Sequence, residues 1–351
     1  MNEFEIREGI LIKYCGSNST VIVPASVTSI SEAVFFDCAN IKTVVLPQGI
    51  TSIGARAFKH CVGIETLILP ESLTCIGDEA FAYCFNLQSI DLPDSIMHIA
   101  DNAFLWCERL DSINCYETTN PKKHYKSRDG ILYTQDEKTL VRCPRRAGSG
   151  TFAVSNGVIN IGRNAFMGCS SIKKLILPES IINIGDEAVA CCEYLRNIDL
   201  PDSVLHIGKN AFSRCEDLDA INCYKTSNPE KHYKSKDGIL YTKDGKILVC
   251  YPMGKVNSSY AVPKGVKSIG AFAFVGNWWI KYISLPEGLL NIGEGAFSEC
   301  PELQEISIPK SVKNIETPAF LENPYLEIQV VTGSYAETYA KENNINFEVR
   351  E

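Results

Sequence analysis

Residues 64–86 read IETLILPESLTCIGDEAFAYCFN, and the fold turns on this stretch. The block after it, 87–109, is LQSIDLPDSIMHIADNAFLWCER, and the block before it, 41–63, is IKTVVLPQGITSIGARAFKHCVG. One frame fits all three: L-x-x-I-x-L-P-x-x-(I/V)-x-x-I-G-x-x-A-F-x-x-C-x-x. Its proline recurs at Pro24, Pro47, Pro70, Pro93, Pro178, Pro201, Pro263, Pro286 and Pro309, with Ser155 in that place once. The step is 23 residues except for two steps of 62, each a coil plus about 39 inserted residues. Such a period marks stacked coils, because one coil cannot bury its own apolar side but a neighbour can cover it. A larger repeat lies above the first: 64–171 matches 172–279 at an offset of 108, down to the inserts INCYETTNPKKHYKSRDGILYT (113–134) and INCYKTSNPEKHYKSKDGILYT (221–242).

Each position of the frame has a physical reading. In 64–69 a short strand turns Leu67 and Leu69 inward, and Pro70, which lacks an N–H and has a fixed φ, ends it. Leu73 and Ile76 return to the core, and residues 78–81 are expected to form a short helical or 3₁₀ turn that drops Phe81 inside. The aromatic column is Phe35, Phe58, Phe81, Phe104, Phe166, Phe212, Phe274, Phe297 and Phe320, with Val189 the exception. The glycine column also holds Ser31, Ala100 and Glu316, which argues for close backbone packing rather than a required positive φ.

Fifteen cysteines invite a disulfide or zinc reading, and the frame opposes it. Cys38, Cys61, Cys84, Cys107, Cys169, Cys192, Cys215 and Cys300 share one column, which Asn277 and Asn323 also fill. Cysteine and asparagine interchange where a small side chain meets backbone groups in a tight turn, and asparagine cannot form a disulfide. No C-x-x-C pair starts a zinc site. Structural buried thiols are expected, with Cys115 and Cys223 also in the core.

The repeated frame, the D-G-I-L-Y elements of the inserts and the closing GSYAETYAKENNINFEV resemble the BspA-like (Treponema pallidum-type) bacterial leucine-rich-repeat family over nearly the whole chain. The resemblance implies a right-handed leucine-rich-repeat solenoid of short parallel strands, in a family whose members are often exported and engage host proteins, glycans or matrix. The expected layout is one solenoid: an N-terminal hairpin cap (1–23), first coils (24–109), an insert with a hairpin (110–151), middle coils (152–217), a second insert (218–259), last coils (260–325) and a helix–strand cap (326–351). The second hairpin turns at Asp244-Gly245, a strong two-residue turn signal, and Ser334 with Glu337 has capping-box spacing for a helix over 335–343.

A net charge of -8 argues against nucleic acid, which demands a basic face. No apolar run reaches the ~18 residues that span a membrane. The acidic start, Asn2 to Ile6, carries no visible signal peptide, so the residues point to the cytoplasm and the resemblance to the cell surface. No Walker loop, nucleophile elbow, H-E-x-x-H or recurring carboxylate pair is present, so no enzyme, cofactor or metal is expected.

A non-catalytic, monomeric binding module for protein or glycan is expected, with an intracellular scaffold as the alternative. The outward strand positions Val45, Ile68, Asp91, Asn114, Ile176, Asp199, Asn222, Ser284, Ser307 and Gln329 form one candidate face, against the plainer reading of a solvated sheet surface. The second candidate is aromatic: Tyr125 and Tyr233 in polar loops beside His124 and His232, and the pair Trp278-Trp279. The plainer reading has these aromatics covering the joint between insert and solenoid.

Overall fold

The computed structural model describes residues 3–116, 123–148, 150–223 and 231–350. Most of the polar stretch expected in each insert, including Lys122, therefore lies outside the described residues. The chain forms two compact units, Met1–Ser149 with Gly157–Ser171, and Gly150–Asn156 with Ile172–Glu351.

Each regular coil carries two strands. The first is the expected one: Thr20–Ile22, Thr43–Val45 and Thr66–Ile68 pair in parallel, as do Ser89–Leu92 and Ser112–Cys115. The sequence frame does not announce the second, a two-residue strand at Ser29–Ile30, Ser52–Ile53, Cys75–Ile76 and His98–Ile99, also parallel. Its inward member, Ile53 or Ile76, is fully buried. The glycine that follows packs as expected: a Cβ at Gly54 would lie 2.7 Å from Glu32 N, and one at Gly77 would lie 2.7 Å from Ala55 N. Neither glycine is in the left-handed region, while Gly54 N donates to Ile30 O at 2.8 Å.

The third side corrects the sequence reading. Residues 78–81 make no helical or 3₁₀ segment; they belong to a run of turns. Glu79 (φ 52°) and Tyr83 (φ 62°) are left-handed, as are Arg56 and His60 one coil earlier, so no right-handed helix can propagate. The turns form their own ladder: Arg56 N donates to Asp78 O, Phe58 N to Ala80 O and His60 N to Ala82 O, at 2.8, 2.8 and 2.9 Å. Satisfying these buried backbone groups from the next coil compensates the unfavourable φ values.

The core follows the columns. Phe35, Phe58, Phe81 and Phe104 stack at centroid spacings of 4.7, 5.3 and 5.8 Å in the first unit. Tyr251, Phe274, Phe297 and Phe320 do so at 4.9, 5.1 and 5.5 Å in the second. The cysteine column behaves as the Cys/Asn interchange requires. Thiols of Cys61, Cys84, Cys107 and Cys300 donate to the carbonyls of Phe35, Phe58, Phe81 and Phe274 at 2.9–3.3 Å, and Asn323 Nδ2 donates to Phe297 O at 2.7 Å. None of the fifteen cysteines is in a disulfide. Burial holds these thiols neutral, pushing Cys61, Cys107 and Cys300 up to about 12.

Each insert is a three-stranded meander: the expected hairpin is present, and part of the stretch expected as a polar loop supplies a further strand before it. Tyr125–Arg128, Ile131–Thr134 and Thr139–Arg142 are antiparallel, and Tyr233–Lys236, Ile239–Thr242 and Ile247–Cys250 repeat them. The last strand of each rejoins the two-residue ladder, Leu140 beside Ile161 and Leu248 beside Ile269. The first hairpin lies on the preceding coil. Ile113 N donates to Gly130 O and Cys115 N to Ser127 Oγ, both at 2.8 Å; Ile221 and Cys223 do the same with Gly238 and Ser235 at 2.9 Å. The insert thus satisfies donors that the next coil's strand would otherwise take.

At the N-terminus Phe4–Arg7 and Ile10–Tyr14 form a hairpin whose second strand pairs with Ser29–Ile30, while Thr20–Ile22 already stands in the outer strand column. The C-terminal helix is Tyr335–Glu342, capped by Ser334, and Phe347–Arg350 pairs with Glu327–Val331.

Candidate binding face

Because strand side chains alternate, each outer strand turns its middle residue inward and its flanking residues outward. In the first unit Ile22, Val45 and Ile68 are in register, and Ile22 and Ile68 are 66% and 50% exposed, an unusually open setting for aliphatic side chains. Beside them runs the threonine column Thr20, Thr43 and Thr66. Asp91 and Asn114 continue the outward positions as a pair, with Asn114 Nδ2 donating to Asp91 Oδ1 at 2.9 Å.

The second unit repeats this chemistry. Ala153, Ile176, Asp199 and Asn222 are in register across four strands, and Asn222 Nδ2 donates to Asp199 Oδ1 at 3.0 Å. Farther along, Ala261, Ser284, Ser307 and Gln329 align, but Gln329 is buried. Arg350 closes this end by donating to Gln329, Ser307 and Glu305. The structure therefore sets Gln329 in the cap, while Val45, Asn114, Asp199, Asn222 and Ser307 are half-buried and Ile68, Asp91, Ile176 and Ser284 exposed.

Trp278 and Trp279 are 58% and 53% exposed, on the turn that follows Asn277, whose Oδ1 accepts from Trp279 N at 3.1 Å. Val256 stands one 23-residue step before Trp279, and Glu302 and Tyr325 stand one and two steps after it; all three are exposed. Tyr282, also exposed, donates to Gln304 Oε1 at 3.1 Å. The 23-residue column through Trp279 is the sequence signal of this rim, which the tryptophan pair alone does not carry.

Tyr125 and Tyr233 begin strands and are not in loops, which corrects the expectation. The Tyr125 hydroxyl accepts from Ile99 N at 3.2 Å, and that of Tyr233 donates to Leu205 O at 3.4 Å. Both rings tie the insert to the coil before it. His124 and His232 are exposed, each on an open groove beside its insert. In the second unit that groove is also lined by Lys231, Lys243, Lys246 and Lys267, a basic patch spread over two coils and an insert and so invisible as a charge run.

Among the described residues no group of three His, Cys, Asp or Glu side chains is placed to hold a metal ion, and no helix is long and apolar enough to cross a membrane.

No match is found among curated proteins. Among solved structures, the chain is similar to a leucine rich cell surface protein from Faecalibacterium prausnitzii A2-165, at 23% identity, TM-score 0.53, covering 97% of this chain and 90% of that one. It is also similar to a leucine-rich repeat protein from Eubacterium ventriosum ATCC 27560, at 23% identity, TM-score 0.62, covering 90% and 88%. These likenesses concern the fold. The family model for the BspA type leucine rich repeat region matches in six copies across residues 6–125, 149–234 and 253–344, which is most of the chain, and the protein belongs to that family.

Proposed function

We propose that this protein is a non-catalytic interaction module that recognises a protein or glycan through the outward side chains of its outer strands, with the Trp278-Trp279 rim as a second contact. The observation that carries this reading is the repetition of one surface chemistry on both copies of the module. An exposed isoleucine, then an aspartate, then an asparagine hydrogen-bonded to it recur as Ile68, Asp91 and Asn114 and as Ile176, Asp199 and Asn222. Rigid ladders that hold side chains at fixed spacing suit extended recognition, because little side-chain order remains to be imposed on binding. Val45 in the first unit and Ser284 and Ser307 in the second hold the corresponding outward strand positions; Tyr125 and Tyr233 tie each insert to the coil before it.

A cell-surface, adhesion-type setting is supported by the cell surface protein of Faecalibacterium prausnitzii to which the fold is similar. An intracellular scaffold is the second reading, favoured by fifteen cysteines outside any disulfide. Fractionation of native cells with protease shaving separates the two settings. For the face itself, partners recovered by pull-down or glycan array are tested against Ile68→Ser/Ile176→Ser, Asp91→Ala/Asp199→Ala and Trp278→Ala/Trp279→Ala. At least a tenfold loss in one set is expected, and retention of all partners by all three sets sinks the reading.

A further inference from the structure

The two module copies differ in their interior where the insert's last strand meets the coils. In the first unit Arg142 is buried there. Its guanidinium donates to Asn164 O at 2.6 Å and Phe104 O at 3.4 Å, and Asn164 Nδ2 donates to Asn102 Oδ1 at 2.5 Å. The cation faces backbone carbonyls and the thiols of Cys107, Cys143 and Cys169, with Arg145 as the neighbouring charge. The offset of 108 places Cys250 at the position of Arg142, Phe272 at Asn164 and Met253 at Arg145, while Asn210, Phe212 and Ala273 keep the identities of Asn102, Phe104 and Ala165.

These exchanges leave a space. A cavity of about 170 Å³ in the second unit is lined by Asn210, Phe212, Cys250, Phe272 and Ala273, among others, with Lys209 and Ile247 exposed at its rim. A dry engineered cavity of about 150 Å³ is enough to take up benzene. Asn210 Oδ1 is buried without a hydrogen-bond partner, since the donor that Asn164 supplies to Asn102 is replaced by phenylalanine. Lys209 is engaged by Glu294 at 2.8 Å, so its ammonium enters neutralised by a carboxylate.

We infer that this cavity is a binding site for an alkylguanidinium group, which would lie where the first module places its own arginine, between the carbonyls of Phe212 and Phe272 and within reach of Asn210 Oδ1. Mostly apolar walls with a few convergent acceptors suit a short alkyl stem ending in a planar donor. The group comes either from a free small molecule or from an arginine side chain of a bound peptide.

Methylguanidine is the probe, with n-butanol as a neutral ligand of similar size and methylamine as a cation without the planar fork. Calorimetric titration of the full chain and a soaked crystal are expected to show methylguanidine at the Phe212 and Phe272 carbonyls, at least tenfold tighter than either control. The Cys250→Arg variant supplies the guanidinium in cis; it is expected to melt higher and to lose the methylguanidine signal. Should that variant fail to fold, Cys250→Leu fills the same space. Agmatine and a short peptide with one arginine, paired with its lysine counterpart, distinguish the two sources, and binding of either supports the site. Equal or tighter binding of n-butanol, no binding of any guanidinium, or an unchanged signal in the filled variants overturns it. That failure would leave the strand-face reading untouched, since the two share no residue.

Discussion

At the residue scale, the columns were legible because each frame position recurs often enough for its exceptions to be informative. Asparagine in the cysteine column pointed to a backbone hydrogen bond before any geometry was known, and Asn323 and Cys300 make the same one. The stacked rings carry much of the core, so Phe81→Ala should cost about 3–5 kcal/mol in urea unfolding. The thiols set an alkaline limit. Desolvation raises Cys61, Cys107 and Cys300 to about 12, above the ordinary thiol value, so the native state holds protons that the unfolded chain releases. Their contribution is complete below the unfolded thiol pKa and is lost as pH rises toward 12; melting temperature should fall steadily above about pH 9. A flat melting profile from pH 8 to 11 would contradict this. The cavity is not legible in the sequence, because Asn210, Cys250 and Phe272 meet only through coil register. The offset of 108 did hold the signal, in the exchange of Arg142 for Cys250.

At the scale of elements, strands were easier to foresee than turns. The outer strands announce themselves by alternation and a terminating proline. The two-residue strands are too short for any period to register, and the residues of the third side look helical only because left-handed backbone leaves no mark on the side-chain pattern. Glu79 and Tyr83 are ordinary residues that would suit a helix, and the ladder from coil to coil decides against it. The meanders depend on one glycine each. Gly130 and Gly238 have φ of +76° and +75°, and a Cβ there would meet the Cβ of Ser112 at 2.7 Å and of Ala220 at 2.8 Å. Gly130→Ala should therefore cost more than about 1–2 kcal/mol, the left-handed penalty alone. It should also speed hydrogen exchange at Ile113, whose N–H loses its acceptor as the hairpin lifts; unchanged protection there would show the contact to be dispensable.

At the scale of the whole molecule, stability in stacked coils is a sum of neighbour terms, so the ends weigh heavily. Removing residues 332–351 would uncover Ile328 and Val330, both fully buried, together with the backbone edge now paired with Phe347–Arg350. Such a truncation should aggregate, seen as rising light scattering at temperatures where the full chain stays clear. Charge contributes far less. Arg214 reaches across Gly276 to Glu299, at 2.7 Å, and both side chains are substantially exposed; Glu299→Gln should change stability by less than about 1 kcal/mol, and by nothing measurable in high salt. The docked inserts have a consequence for the size of any epitope. In the second unit the continuous outer ladder of Gly150–Ala153, Ile172–Ile176, Asn197–Leu200 and Ala220–Cys223 stops where the hairpin of Gly238 takes over the last strand's donors. Four strands at about 4.8 Å spacing span roughly 14 Å. On the proposed reading, an extended peptide lying across this ladder alone would meet it with about four residues.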